Sequence, residues 1–170
     1  METLVITNFG LEDFGGEQKF VSVDFKINQN DIYTAYLDAD RTINLDNFYC
    51  GDYDLDDVLV ALKDLLDQEE SQLNIGKMIS TAVLGSDDFV SDKQLFGSWL
   101  NNWGIFKFLG SGGKIAVAVC HADDLTLSIN RKGKTFNSES EYLDWHEQMQ
   151  QYDQYGDASI VSRAIDDIAG

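Results

Sequence analysis

Proline is absent from this chain of 170 residues, cysteine and histidine occur twice each, and only 12 side chains are basic. Each shortage excludes something. Two cysteines cannot build a disulfide framework, and the first residues lack the basic-then-apolar run of a secretory signal, so a cytoplasmic protein with reduced thiols is expected. No stretch approaches the roughly 18 uninterrupted apolar residues of a membrane-spanning helix, and anionic lipid would repel the surface. His121 and His146 sit in no Cys/His ligand spacing, so neither a metal nor a cofactor is expected. Against the 12 bases stand 30 acids, a formal charge of −18. A surface of that sign repels phosphates and argues against direct nucleic-acid binding. The missing prolines have no functional account.

What is present is an ordinary globular composition. With 44% hydrophobic residues, a chain of this length can bury roughly 70% of the surface that it exposes when unfolded. One α+β domain spanning residues 1–170 is expected. Its charge is unevenly placed: residues 1–70 hold 17 acids and 4 bases, residues 71–134 hold 5 and 7, and residues 135–170 hold 8 and 1. Two acidic blocks therefore flank a nearly neutral apolar middle.

Val21, Val23, Phe25 and Ile27 alternate with Ser22, Asp24 and Lys26, the period of a strand with one wet face. Leu4 and Ile6, then Tyr33, Ala35 and Leu37, then Ile43 and Leu45 supply further short runs. Their short connections predict an antiparallel four-stranded meander. After Asp54, a predicted N-cap, the residues Leu55, Val58, Leu59, Leu62, Leu65 and Leu66 form one helical stripe. The pattern further predicts a helix over 73–84 interrupted at Gly76, and another over 92–103 carrying Leu95, Phe96, Trp99, Leu100 and Trp103. A second hairpin is predicted from 105–109 and 114–121 around Gly110-Ser111-Gly112-Gly113, then a strand over 125–129. Ala116, Ala118 and Cys120 share one face of that hairpin, where a closely packed helix is expected. Ser138 and Glu141 form a capping-box pattern before a helix with buried Tyr142, Trp145, Met149 and Tyr152, and a last helix covers 158–168.

Motifs for chemistry are sparse. Ala35-Tyr36-Leu37-Asp38-Ala39-Asp40-Arg41-Thr42 resembles the first motif of haloacid dehalogenase-type phosphohydrolases. That resemblance implies a nucleophile at Asp38, an acid/base at Asp40 and Mg²⁺ as cofactor. The alternative is an acidic hairpin turn. Asp52, Asp54 and Asp56 have the spacing of the first EF-hand ligands, but the glycine and the bidentate glutamate that a calcium loop needs are Asp57 and Lys63. Cys120 and His121 are adjacent on a predicted strand and so leave opposite faces, which argues against a thiolate–base pair. Trp99, Trp103, Phe106 and Phe108 near Lys107, Lys114, Arg131, Lys132 and Lys134 could stack bases, although their spacing suits a core stripe. His146 reads as a packed or half-exposed structural side chain.

The strongest lead is the acidic helix. With Leu55 at zero, Asp56, Asp57, Asp64 and Asp67 fall between about 100° and 200°, opposite the leucine stripe, with Val60 among them. Carboxylates around an apolar contact suit an interface with a basic partner. The expected partner-binding residues are Asp52, Asp54, Asp56, Asp57, Val60, Asp64, Asp67, Glu69 and Glu70, with Glu139, Glu141, Asp144 and Glu147 as a second patch. No catalytic residue is expected. In charge and size the chain resembles the acidic inhibitors that phages and mobile elements direct against restriction or CRISPR nucleases. That likeness implies a nucleic-acid mimic occupying the basic groove of a nuclease or other nucleic-acid-binding enzyme. An immunity protein neutralising a cognate toxin is the alternative.

Overall fold

A computed structural model describes residues 3–13, 19–29, 31–97, 103–121, 125 and 133–169. Among them the chain is α+β, with two antiparallel sheets and four α-helices. β1 (Leu4–Asp13), β2 (Lys19–Ile27) and β3 (Asp31–Leu37) form the first sheet in the order β1-β2-β3. The alternation in β2 puts Val21, Val23, Phe25 and Ile27 on the inner face, each buried, with Phe25 opposite Ile6 and Tyr33.

The meander has three strands where four were expected. Ile43 makes a single bridge to Leu37, Asn44 N–H reaches Tyr36 O (2.7 Å), and the chain then turns into a 3₁₀ segment, Leu45–Asn47. Leu45 consequently points outward, 63% exposed. The reason is local: Ile43 and Leu45 are too few to extend a ladder before the polar Asp46-Asn47 turn.

α1 (Leu55–Leu66) starts at Asp54, whose carboxylate accepts from Asp57 N–H at 3.0 Å, and it buries Val58, Leu62 and Leu66. α2 (Glu69–Leu84) runs unbroken through Gly76 and starts four residues earlier than expected. Gly76 lies directly under Val90, so its missing side chain permits close helix–strand packing without interrupting the helix.

The second sheet is β4 (Phe89–Gly97), β5 (Trp103–Gly110), β6 (Ile115–His121) and β7 (Lys134–Phe136), in that order. The helix expected over 92–103 is therefore a strand as far as Gly97, and Trp103 opens the next strand; Trp99 and Leu100 lie outside the described residues. Register shifts between Ser91 and Lys93 and between Gln94 and Phe96 explain the misreading. Each bulge flips the facing, so the strand shows no period of two, and the remaining apolar spacing imitates a helix. The hairpin joining β5 and β6 forms as expected, with Gly112 and Gly113 at positive φ (66° and 80°). Of the strand expected over 125–129 only Leu125 is described; it is buried, and its N–H donates to Lys19 O (2.9 Å).

The second sheet separates two apolar clusters. On one face Phe106, Phe108, Ala116, Ala118 and Cys120 meet α1, α2 and the first sheet. The small residues of β6 face α2, as the sequence predicts. On the other face Ile105, Val117 and Val119 pack with α3 (Glu139–Gln150) and α4 (Asp157–Ala169). Ser138 caps α3 through Glu141 N–H (3.2 Å), and the Glu141 carboxylate returns to Asn137 N–H (3.0 Å), one residue before the cap. Tyr142, Trp145 and Met149 are buried beneath this helix.

Candidate functional site

The expected partner-binding residues come together along α1 and its two ends. Asp52 and Asp54 precede the helix, Asp56, Asp57, Val60 and Asp64 lie on its outward side, and Asp67, Glu69 and Glu70 form its corner with α2; all are exposed. Val60 is 57% exposed, while Leu62 two positions on is fully buried. The outward side is therefore an apolar contact among carboxylates, on a helix about 18 Å long. Lys63 is also exposed near its C-terminal end. Among the described residues none of these carboxylates takes part in an ion pair. Asp54 alone has a structural bond, the N-cap.

A half-buried cation fixes the corner that presents Asp67, Glu69 and Glu70. Arg41, at φ 72°, sends its guanidinium to α2 and Ser91, where Nη1 donates to Gln72 Oε1 (2.6 Å) and Nη2 to Ser91 O and Ser91 Oγ (2.7 Å). Gln72 Nε2 in turn donates to Leu66 O (2.6 Å), the end of α1. Burial pulls the Arg41 pKa down, and the charge of Asp92 opposes that shift.

Sequence reasoning missed an aromatic patch at the other end of α1. Tyr33 meets Tyr49 and Tyr53 edge-on, with ring centroids 5.8 and 6.4 Å apart, and Tyr49 is 69% exposed. Tyr53 Oη donates to Asp31 Oδ2 at 2.7 Å, a bond that raises its pKa. The Tyr33 phenol is also raised, by burial first and then by Asp31, with Asp52 among the smaller causes. Gly51, at φ 63°, lies so close under the Tyr33 hydroxyl that a Cβ would stand 2.5 Å from it. Repeated Tyr beside Asp in 46–54 was the available signal.

The other motifs are accounted for by packing and turns. Asp38 N–H donates to Thr42 O (2.9 Å), Asp40 Oδ1 accepts from Thr42 N–H (3.0 Å) and Oγ1 (2.6 Å), and Asp38 Oδ1 accepts from Asn44 Nδ2 (3.1 Å). This is a hairpin-like turn after an antiparallel strand, whereas the phosphohydrolase motif leads from a parallel strand to a helix. Among the described residues no three His, Cys, Asp or Glu side chains are placed to share a metal ion. Cys120 is buried in the first cluster, while His121 packs edge-on to Trp103 (5.3 Å) from the opposite face. Phe106 and Phe108 are core residues, and Arg131 and Lys132 lie outside the described residues. His146 stacks on Phe96 with centroids 5.1 Å apart. Of the second acidic patch, Glu139, Asp144 and Glu147 are exposed, and Glu141 is engaged with Asn137. No helix among the described residues is long and apolar enough to cross a membrane.

Comparison with protein-family models, with curated proteins and with solved structures returns no match to this chain.

Proposed function

We propose that this chain is a non-enzymatic inhibitor whose α1 surface docks in the basic groove of a nucleic-acid-processing enzyme and excludes the nucleic acid. One observation carries the reading: Asp56, Asp57, Asp64, Asp67, Glu69 and Glu70 are exposed around Val60 and have no ion-pair partner among the described residues. Carboxylates left unengaged are free to face a partner, and each can meet an arginine or lysine that otherwise holds a phosphate. The recurrence suits that role, since Asp57 and Asp64 are two helical turns, about 10 Å, apart. Complementary fields of this size also speed encounter.

The test is capture of a basic protein at low salt on the tagged chain, followed by a duplex-competition assay on the captured protein. Nucleic acid should displace the inhibitor, and raised salt should release it steeply. Reversal of Asp56, Asp57, Asp64 and Asp67 to lysine should weaken capture by about 100-fold or more while the circular dichroism spectrum is kept. Inhibition that survives this reversal removes α1 from the interface. A captured toxin that still binds its nucleic acid within the complex identifies an immunity protein instead.

A further inference from the structure

The sheet edges of this protein are guarded unequally. β7 offers three residues, and β4 is broken by two register shifts with Asp92 and Lys93 in its middle. The C-terminal half of β3 is closed by the bonds from 42–44 described above. β1 is different. It is ten residues long, ends its sheet, and among the described residues pairs only with β2. It contains no lysine, arginine or proline, the residues that commonly blunt an edge. One register shift, between Ile6 and Asn8, is its only irregularity, and it leaves regular stretches on either side. A row of N–H and C=O groups therefore faces outward, ready to pair with another extended chain.

Beside this edge runs a groove of about 310 Å³, with Leu4, Ile6 and Phe9 on the strand side and Leu65, Glu70 and Asn74 on the side of the α1–α2 corner. We infer that β1 accepts an extended, basic segment of the partner as an added strand, with alternate apolar side chains in the groove and cations over Glu70 and its neighbours. Four observations converge on that occupant. The edge supplies backbone pairing, which only an extended chain can use. Leu4 to Phe9 spans about 17 Å, room for a segment of five or six residues. Among the described residues Glu70 is the charged one in the groove and no base lines it, and β1 itself ends in Glu12-Asp13. Finally, the groove is continuous with the corner that carries Asp67 and Glu69, so one partner can touch both. A second copy of the chain fits poorly, because each copy carries −18 and like charges repel.

This inference rests on the preceding reading for the partner's positive charge alone, and its test separates the two. The full chain is titrated with decapeptides that alternate lysine with valine or isoleucine, with the same peptides N-methylated at alternate residues, and with versions carrying glutamate for lysine. Amide hydrogen exchange is followed residue by residue. The lysine peptides should slow exchange along β1 by about 10-fold or more. N-methylation or glutamate should abolish the effect, and Glu70→Lys should weaken binding about 5- to 10-fold. Persistence of β1 protection in the Asp56→Asn, Asp57→Asn, Asp64→Asn, Asp67→Asn variant supports strand addition while separating it from the outward side of α1. Protection confined to α1 overturns strand addition and leaves the acidic-surface reading standing. Undiminished binding of the N-methylated peptides, no binding by any peptide, or concentration-dependent β1 protection without peptide likewise overturns it.

Discussion

The acids around α1 and those of the C-terminal block are the same side chains put to different uses. In the C-terminal block, Asp167 accepts from Lys134 Nζ and from Trp145 Nε1, both at 2.7 Å, and so ties α4 to β7 and α3. Glu141 completes the cap of α3. Around α1 only Asp54 has such a task. The local fields differ too: the Tyr33 phenol is raised by burial first and then by Asp31, and the Tyr53 phenol by its bond to Asp31, whereas His146 on α3 is lowered by burial first and then by Lys93 and Lys107. A count of charges treats all these acids alike, but those of the C-terminal block, like Asp31, Asp38 and Asp40 earlier in the chain, are partly spent on holding the fold, whereas the acids around α1 other than Asp54 stand clear of it.

The largest expected effect tests whether the outward side of α1 is free of the core. Leu62→Ala should cost about 3 kcal/mol by denaturant unfolding, because it empties a fully buried site. Val60→Ala, two residues away, should change stability by less than about 0.5 kcal/mol. Equal losses would mean that both sides of α1 are packed, and the surface proposed for a partner would be structural.

The blocks themselves can be set against each other. Asp167→Ala should cost about 1 kcal/mol, a value discounted for the partial exposure of its bonds to Lys134 and Trp145. Those two bonds hold the Asp167 carboxyl below its usual range against the opposing effect of burial, which is the largest single influence on it. Its contribution is therefore present at neutral pH and is lost as pH falls through the ordinary aspartate range and then through the lower folded value. The Ala variant should lack that part of the acid-side decline in melting temperature. The fourfold Asp→Asn variant of α1 should melt at the same temperature or slightly higher, since it relieves like-charge repulsion. A marked loss in that variant would erase the distinction between the blocks.

The smallest effect concerns His146. Burial against Phe96, together with Lys93 and Lys107, keeps it neutral in the folded chain at pH values where the unfolded chain binds a proton. Stability should therefore fall slightly as pH drops below about 6.5. His146→Gln should remove this slope from melting curves taken between about pH 7 and 5. An unchanged slope would show that His146 is not held neutral by its surroundings.

Much of the local structure was readable in advance. The stripe and Asp54 cap of α1, the capping pair Ser138 and Glu141, and the Gly110–Gly113 hairpin tip all depend on residues a few positions apart, within reach of periodicity. β4 was not readable, because two bulges destroy its alternation, nor was the end of the meander, where one bridge at Ile43 replaces a strand. For the candidate site, helical spacing put Asp56, Asp57, Asp64 and Asp67 opposite the leucine stripe, and all four are exposed. It missed the Tyr33, Tyr49 and Tyr53 patch, since Tyr33 arrives from a strand and the other two from a loop. The groove beside β1 was equally hidden: its walls are more than 50 positions apart in the chain.

The sequence by itself determined the sign and blockwise placement of the charge, and the two-sided character of α1, because one helical turn is enough to define both. Only the tertiary structure decided which acids were left over. Asp167 finds its partners 22 and 33 positions away, while among the described residues Asp56, Asp57, Asp64 and Asp67 form no ion pair. The same long-range packing leaves β1 at the rim of its sheet, with backbone groups facing outward that no local pattern could have marked.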